Sequence, residues 1–334
     1  MYSDIEKAIV NLNYFTEGDY REKVVRLRKM LKEGISEKDI KSKKSDKLFA
    51  FLEKKNYFAV TIASSDYPEA LKATDEAPLV LFGAGNRELL KKRKFCIVGS
   101  RITPSWAEAV TKRISGELSE TFTIVTGLAE GGDRAAIDGA IGSGNLITVL
   151  PCGLDVCYPA AHYALKDKIE KSGLLLSEYF FGEQARSYSF HARNRILAGL
   201  AEGVLVVSAG ARSGTSITAG KALDYGRDVF ALPYNVGVRQ GEGCNALLKK
   251  GATLVTDSED ILSYYGVQKK KRVSVLLSAE EEKVLNVLRE EGELHTAVIA
   301  ERTGLKIYEA TAALSSLEIK NLAVKAGGNR YSAL

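Results

Sequence analysis

Cysteine and histidine, which build disulfide frameworks and zinc sites, are scarce in this sequence. Its 334 residues include four cysteines and three histidines. Cys152 and Cys157 lie close together, but their spacing is not that of a CxxC motif and no second pair is nearby. These counts disfavour a disulfide-stapled fold and a tetrahedral zinc centre. We expect the cysteines to be small buried hydrophobic residues, and we expect no bound metal.

Long apolar runs are also absent. No window approaches the uninterrupted apolar length that a membrane-spanning helix needs. The first residues, MYSDIEKAIVNL, contain no basic stretch followed by an apolar run, so they do not resemble a secretory signal. The apolar share of 45% and the charged share of 27% are those of an ordinary soluble protein. We therefore expect a cytoplasmic protein with no membrane partner.

The motifs of several common enzyme classes are missing. The apolar run FCIV leads into GSRITP and not GxGxxG, which disfavours a nicotinamide or flavin dinucleotide. GxxxxGK[ST], HExxH and GxSxG are absent as well. Because no nucleophile or histidine accompanies the available carboxylates, we interpret them as helix caps or structural partners; they are Asp133, Asp138, Asp155 and Glu178. We expect no catalytic residue and no cofactor.

Seven short apolar runs alternate with amphipathic stretches in the middle of the chain. Near-continuous apolar runs are typical of strands that are buried on both faces, and helices between them imply βαβ units. This pattern predicts an α/β fold with a Rossmann-like, doubly wound and mostly parallel sheet. The runs are FCIVGS (95–100), TIVTGL (123–128), LITVLPCG (146–153), LLLSEY (174–179), VLVVSAG (204–210), VFALPY (229–234) and TLVTD (253–257).

The flanks differ from this middle region. Residues 1–57 have apolar positions at helical spacing, which predicts a small helical N-terminal domain before a Rossmann-like domain at 58–266. The basic stretch within 267–274 predicts a linker. Residues 275–334 show three helical stretches and then a hairpin signal, which predicts a winged-helix domain. The net charge is +5, and the basic excess lies in the two flanks.

Glycine, hydroxyl and arginine side chains follow several of the predicted strands. In doubly wound sheets, ligands bind beyond the carboxyl ends of the strands, where helix N-termini present free amides. Such glycines can merely permit tight turns, but several loops of this kind at one edge favour a phosphate-binding surface. The candidate residues are Gly99, Ser100, Arg101, Gly127, Arg193, Asn194, Arg195, Arg212, Ser213, Gly214 and Thr215.

Four motifs in this region resemble the DNA-processing protein A family (DprA, also called Smf). They are VGSR (98–101), TGLAEGGDRAA (126–136), CGLDVCYP (152–159) and RNRILAGLAEGVLVVSAGARSGTSITAGKAL (193–223), the last followed by GRDVFALP (226–233). The resemblance extends from about Tyr67 to Leu262. It implies a non-enzymatic protein that binds single-stranded DNA in a basic pocket, forms a homodimer and delivers the DNA to the RecA recombinase.

The resemblance also implies roles for particular residues. Arg101 matches the family arginine that contacts a DNA phosphate, whereas Ala160 stands where the family often has a basic residue. The family's dimer contact falls on a segment that here contains Leu247, Leu248 and Leu254. The family's winged-helix tail is common but not universal, and here it has few base-reading side chains, which favours protein contact or auxiliary DNA binding over sequence-specific duplex binding.

Two other functions remain open at this point. One is a nucleotide-processing Rossmann enzyme of the phosphoribohydrolase kind, although the PGGxGTxxE motif of those enzymes is absent. The other is a winged-helix transcription regulator with a ligand-sensing domain. A single-strand-binding protein should bind an oligo-dT strand in preference to a duplex, and neither the enzyme nor the regulator should show this preference.

Overall fold

The computed structural model describes residues 2–40, 42–211, 213–268 and 277–333. A nine-stranded sheet forms the centre of the protein, in the order β1-β2-β6-β5-β4-β3-β7-β8-β9. The seven strands from β6 to β9 in this order are parallel, whereas β2 is antiparallel to both β6 and β1. The strands are β1 Tyr57–Thr61, β2 Val80–Gly85, β3 Lys94–Gly99, β4 Thr123–Thr126, β5 Leu146–Val149, β6 Leu174–Ser177, β7 Gly203–Ser208, β8 Asp228–Ala231 and β9 Thr253–Leu254.

All seven predicted strands are present, as β3 to β9, so the mostly parallel α/β fold is confirmed. Their apolar residues are buried, except Leu254 of the edge strand β9, because helices cover both faces of the sheet. The antiparallel strands β1 and β2 were not predicted. They extend the sheet at one edge, beside the N-terminal helices.

Helices precede, connect and follow these strands, and short 3-10 turns lie at 87–91, 141–143, 160–162 and 239–241. The α-helices before β9 are α1 Asp4–Phe15, α2 Tyr20–Glu33, α3 Glu37–Ile40, α4 Lys43–Lys55, α5 Glu69–Lys72, α6 Ser105–Leu118, α7 Gly132–Ala140, α8 Tyr163–Ser172, α9 Ser187–Leu200, α10 Gly214–Asp224 and α11 Glu242–Lys249. Those after β9 are α12 Ser258–Tyr264, α13 Ala279–Glu291, α14 Thr296–Thr303 and α15 Ile307–Ile319.

The N-terminal helices pack onto the antiparallel edge of the sheet. Tyr14 of α1 stacks on Phe82 of β2 with 5.1 Å between ring centroids, and its hydroxyl donates a hydrogen bond to the Glu178 carbonyl at 2.7 Å. Buried residues of α1, α2 and α4 belong to the same hydrophobic cluster as the sheet. Because a buried polar group without a hydrogen bond costs free energy, the hydrogen bond of this tyrosine helps to fix where α1 rests on the sheet.

The C-terminal residues form a second hydrophobic cluster from α13, α14, α15 and a small antiparallel sheet. Its strands are β10 Leu294–His295, β11 Ala323–Ala326 and β12 Arg330–Ala333, in the order β10-β12-β11. Gly328 and Asn329 both have positive φ, which the tight β11–β12 turn needs. The three helices and the β11–β12 hairpin follow the predicted order, whereas strand β10 between α13 and α14 was not predicted. Most of the predicted linker, residues 269–274, lies outside the described residues.

Candidate nucleic-acid interface

A cleft of about 580 Å³ opens at the carboxyl ends of the parallel strands. Loops that follow β3, β4, β5, β6 and β7 meet there, because parallel strands all end at the same edge of the sheet. Eight of the predicted site residues line it, together with residues that were not predicted. The lining consists of Val98, Gly99, Ser100, Arg101, Ala129, Asp133, Tyr158, Ala185, Arg186, Ser187, Phe190, His191, Arg193, Asn194, Leu197, Ser213, Gly214, Thr215 and Thr218.

The loop after β3 is held in place by the end of β7. The Ser100 amide donates to the Ser208 carbonyl at 3.0 Å and approaches the Ser208 hydroxyl at 2.9 Å. Thr103 shares a 2.7 Å hydrogen bond with the same hydroxyl. Gly99 faces Gly132, and a Cβ on Gly99 would lie 2.7 Å from the Gly132 Cα. The two glycines therefore allow β3 and the start of α7 to come close enough to position this loop.

Arg101 extends from this loop into the cleft with its guanidinium exposed. The guanidinium carbon lies 5.1 Å from the centroid of the Phe190 ring and 5.8 Å from that of Tyr158. The two rings pack edge to face at 5.2 Å. Arg101 forms no ion pair within the described part of the chain. The aromatic rings thus orient a positive charge whose hydrogen-bond donors remain available.

Arg193 forms the buried floor of the cleft, and not all of its N–H groups have a hydrogen-bond partner among the described residues. Nη1 donates to the Val149 carbonyl at 2.7 Å, while Nε has no partner among the described residues. Burial lowers the pKa of Arg193, and the charge of Asp133 opposes that effect. Burial likewise raises the pKa of Asp133, against the stabilising charge of Arg193. Burial thus disfavours the charged form of both side chains, and the opposite charge of each partner favours it.

Gly127 lies beneath the cleft and makes room for these two side chains. A Cβ there would fall 2.2 Å from both Arg193 Nη1 and Asp133 Oδ2. The residue is therefore required for the floor of the cleft and does not line it.

The N-terminus of α10 supplies a second wall of the cleft. Ser213 caps the helix by accepting a hydrogen bond from the Ser216 amide at 3.4 Å. Asn194 of α9 donates to the Gly214 carbonyl at 3.2 Å, which ties the two helices together. The first amides of a helix have no intrahelical acceptor and carry partial positive charge. Gly214 and Thr215 therefore present anion-binding donors to the cleft. Arg212 lies outside the described residues.

Arg195 is the one described arginine of the predicted set that does not line the cleft. Its Nη2 is 2.5 Å from Glu178 Oε2, and both side chains are largely buried. Residues two positions apart on a helix lie on nearly opposite faces, so Arg193 and Arg195 cannot both point into the cleft. Glu178 is thus a structural partner, as predicted. Asp138, which pairs with Arg134, and Asp155, which accepts from the Gly182 amide, are structural partners as well.

Arg186 and His191 line the cleft but were not predicted. Both are exposed, and they lie at the start and in the first turns of α9. Arg186 forms no ion pair within the described ranges. The available signal was their position after a predicted strand, LLLSEY, on the same helix as Arg193. That loop lacks the glycine and hydroxyl pattern of the others.

The predicted dimer residues lie at the opposite edge of the sheet from the N-terminal helices. Leu254 is on the edge strand β9 and is 50% exposed. Leu247 and Leu248 of α11 are half-buried and pack against the core. Leu254 is therefore the most accessible of the three.

The described residues contain neither a membrane-spanning helix nor a cluster of metal-ligating side chains. No helix there combines the length and apolar character needed to cross a bilayer. The same residues contain no group of three or more histidine, cysteine, aspartate or glutamate side chains placed to share a metal ion. Cys96, Cys152 and Cys244 are buried and Cys157 is half-buried, and all four are free thiols.

Comparison with known sequences matches residues 58–266 to the family model described as DNA recombination-mediator protein A. The chain is 44% identical over 207 residues to the DNA processing protein DprA of Streptococcus pneumoniae, covering 61% of this chain and 73% of that one. It is 40% identical over 216 residues to the protein Smf of Escherichia coli, covering 64% of this chain and 58% of that protein.

Two solved structures share the fold of this chain. The crystal structure of Streptococcus pneumoniae DprA has a TM-score of 0.63 and 33% identity, covering 80% of this chain and 94% of that chain. A Helicobacter pylori DNA processing protein A has a TM-score of 0.57 and 29% identity, covering 63% of this chain and 95% of that chain. That Helicobacter protein is described with a single-stranded DNA binding mode.

Proposed function

This chain belongs to the DNA recombination-mediator protein A family (DprA/Smf), and we propose that it binds single-stranded DNA in the cleft without reacting with it. In this proposal the protein protects the strand and helps to load RecA onto it. The observation that carries the proposal is the exposed Arg101 guanidinium, oriented by Tyr158 and Phe190 and free of any ion pair in the described chain.

Phosphate groups match the donors of the cleft. Arg101 and Arg186 offer exposed guanidinium groups, which can bind a phosphate through paired hydrogen bonds. The first amides of α10 add a neutral site for an oxyanion. Arg186 also offers the positive charge that is lost at Ala160. We expect phosphate oxygens, and not base edges, to occupy these donors, so we expect little sequence preference.

The composition of the cleft supports binding over catalysis. Asp133 is the only carboxylate among its described lining residues, and it is buried facing Arg193. Buried against that charge, it is poorly placed to accept a substrate proton as a general base must. We therefore favour a binding protein over a phosphoribohydrolase-like enzyme.

We further propose that two copies of the chain associate through the β9 edge. The half-exposed Leu254 on an edge strand supports this, because such an edge is available for pairing and cyclic dimers are the commonest assembly. We keep 1–57, 58–266 and 275–334 as the proposed domains, with a linker at 267–274; the first shares the hydrophobic cluster of the second, whereas the third has a cluster of its own. Helix α15 exposes the large apolar side chains Ile307, Tyr308 and Ile319, which favours protein contact over duplex binding.

Competition between a single strand and a duplex tests the proposed function. A fluorescein-labelled oligo-dT should form a complex that unlabelled oligo-dT displaces and a duplex of equal length displaces far less well. Equal displacement by the duplex would favour a winged-helix regulator and contradict the proposal.

A further inference from the structure

A second cavity, of about 750 Å³, lies between helix α2 and the segment 62–79. It shares no lining residue with the cleft. We call it the α2 groove. Residues of the N-terminal helices α1 and α2 line it, so it is separate from the cleft proposed to bind single-stranded DNA.

The floor and one rim of the α2 groove are aliphatic. Val24, Val25 and Leu31 of α2 face Ile62 across it. Val25 is 65% exposed and Leu31 is 53% exposed, so both side chains are accessible to a partner. The hydroxyl of Tyr20, also in the groove, already donates to the Ala77 carbonyl at 3.0 Å. The groove therefore offers apolar contact and few hydrogen bonds.

Its charged residues are mostly basic. Arg21, Arg28 and Lys72 line the groove, and Asp75 is the only acidic residue among the described lining. Arg21 and Arg28 are seven residues apart, so they lie on the same face of α2, with Val25 between them. Both are exposed, and neither has an ion-pair partner in the ranges that the structure describes. Arg21 and Arg28 thus form a row of exposed positive charge that lies between Val25 and Leu31 on the surface of α2.

From this charge and shape we propose that the α2 groove binds an acidic peptide segment of a protein partner. Carboxylates of the peptide pair with Arg21 and Arg28, and its apolar side chains cover Val25 and Leu31. Burial of Val25 and Leu31 supplies affinity, and the complementary charges set specificity and the rate of encounter.

A second nucleic-acid path fits the α2 groove less well. Single strands bind through aromatic platforms on which bases stack, as Tyr158 and Phe190 would provide in the cleft. The groove instead has an aliphatic floor, and the one aromatic residue in its described lining is Tyr20, whose hydroxyl is already bonded.

The test uses the full chain and a fluorescein-labelled peptide, Asp-Asp-Leu-Glu-Asp-Phe-Leu-Glu. A control peptide replaces the acids with asparagine and glutamine. We expect micromolar binding of the acidic peptide by fluorescence anisotropy and at least about tenfold weaker binding of the neutral one. The double variant Arg21→Glu/Arg28→Glu should weaken acidic-peptide binding by about tenfold or more, and Val25→Ser by about threefold or more.

Lys29→Glu is the matched control for the charge reversal. Lys29 lies on the same helix, is exposed, and forms only a 3.8 Å surface pair with Glu33 outside the groove, so its reversal should change peptide affinity by less than about threefold. The variants should keep the wild-type thermal midpoint and bind oligo-dT as the wild type does.

Three results would overturn the proposal. The acidic and neutral peptides could bind equally, or Lys29→Glu could weaken binding as much as the double variant does. The third result is that the wild type does not bind the acidic peptide and the double variant loses oligo-dT binding. That result would show that the groove is a nucleic-acid surface.

Discussion

Replacing Arg101 by alanine removes the exposed cation at the mouth of the cleft. Loss of a hydrogen-bonding partner to a charged group typically costs about 1.5–3 kcal/mol. We therefore expect Arg101→Ala to weaken oligo-dT binding by roughly ten- to a hundredfold at moderate salt. Arg101→Lys should recover only part of this, because an ammonium group cannot reproduce the guanidinium fork or its stacking on Phe190 and Tyr158.

The fold should tolerate this change. Arg101 is exposed and forms no ion pair with described residues, so the thermal midpoint should barely move. Arg134→Ala is a suitable control, since Arg134 is an arginine outside the cleft whose 2.9 Å pair with Asp138 is at the surface and worth little. The measurement is anisotropy of labelled oligo-dT together with thermal unfolding. Normal binding by Arg101→Ala, or a loss of stability that parallels the loss of binding, would refute the placement of the site.

Three further predictions follow from other parts of the molecule. Arg186→Ala should weaken oligo-dT binding by about tenfold with no loss of stability, and unchanged affinity in the anisotropy assay would remove it from the site. Leu254→Glu should convert a dimer into a folded monomer by light scattering, whereas a persisting dimer would argue against the β9 edge. Burial lowers the pKa of Lys94 to about 8, so the unfolded chain binds more protons between about pH 8 and pH 10.5. Urea denaturation gives the free energy of unfolding of the wild type and of Lys94→Met at each pH. The difference, wild type minus variant, should rise by about 2–3 kcal/mol from pH 7 to pH 10. A difference that stays constant would show that Lys94 does not titrate in this range.

The parallel part of the sheet was predictable because its strands are buried on both faces. Runs such as those of β3 and β7 are almost uninterrupted in their apolar residues, and helices separate them in sequence. The antiparallel strands β1 and β2 were missed. β1 has two half-buried residues and begins immediately after a charged helix, so its five residues give little signal. β2 is strongly apolar, but no amphipathic helix of βαβ length follows it.

The candidate site was predictable where glycine and hydroxyl residues follow a strand, as at Gly99 and Gly214. Arg186 was missed because the loop before α9 has no such pattern. Arg195 was included because it adjoins Arg193 in sequence, yet helical geometry places the two on different faces, where Glu178 takes up the second charge. Helical phase, applied to the arginines of α9, would have separated them from sequence alone.

The salt dependence of oligo-dT binding tests the central claim most directly. If the cleft neutralises roughly three to five phosphates, log K should fall against log salt concentration with a slope of about −2 to −3.5. Arg101→Ala should make that slope shallower by about 0.7, the contribution of one phosphate on a single strand. Tight binding that is unchanged up to about half-molar salt, or an Arg101→Ala slope equal to that of the wild type, would contradict an account in which this cleft binds the phosphates of a single strand.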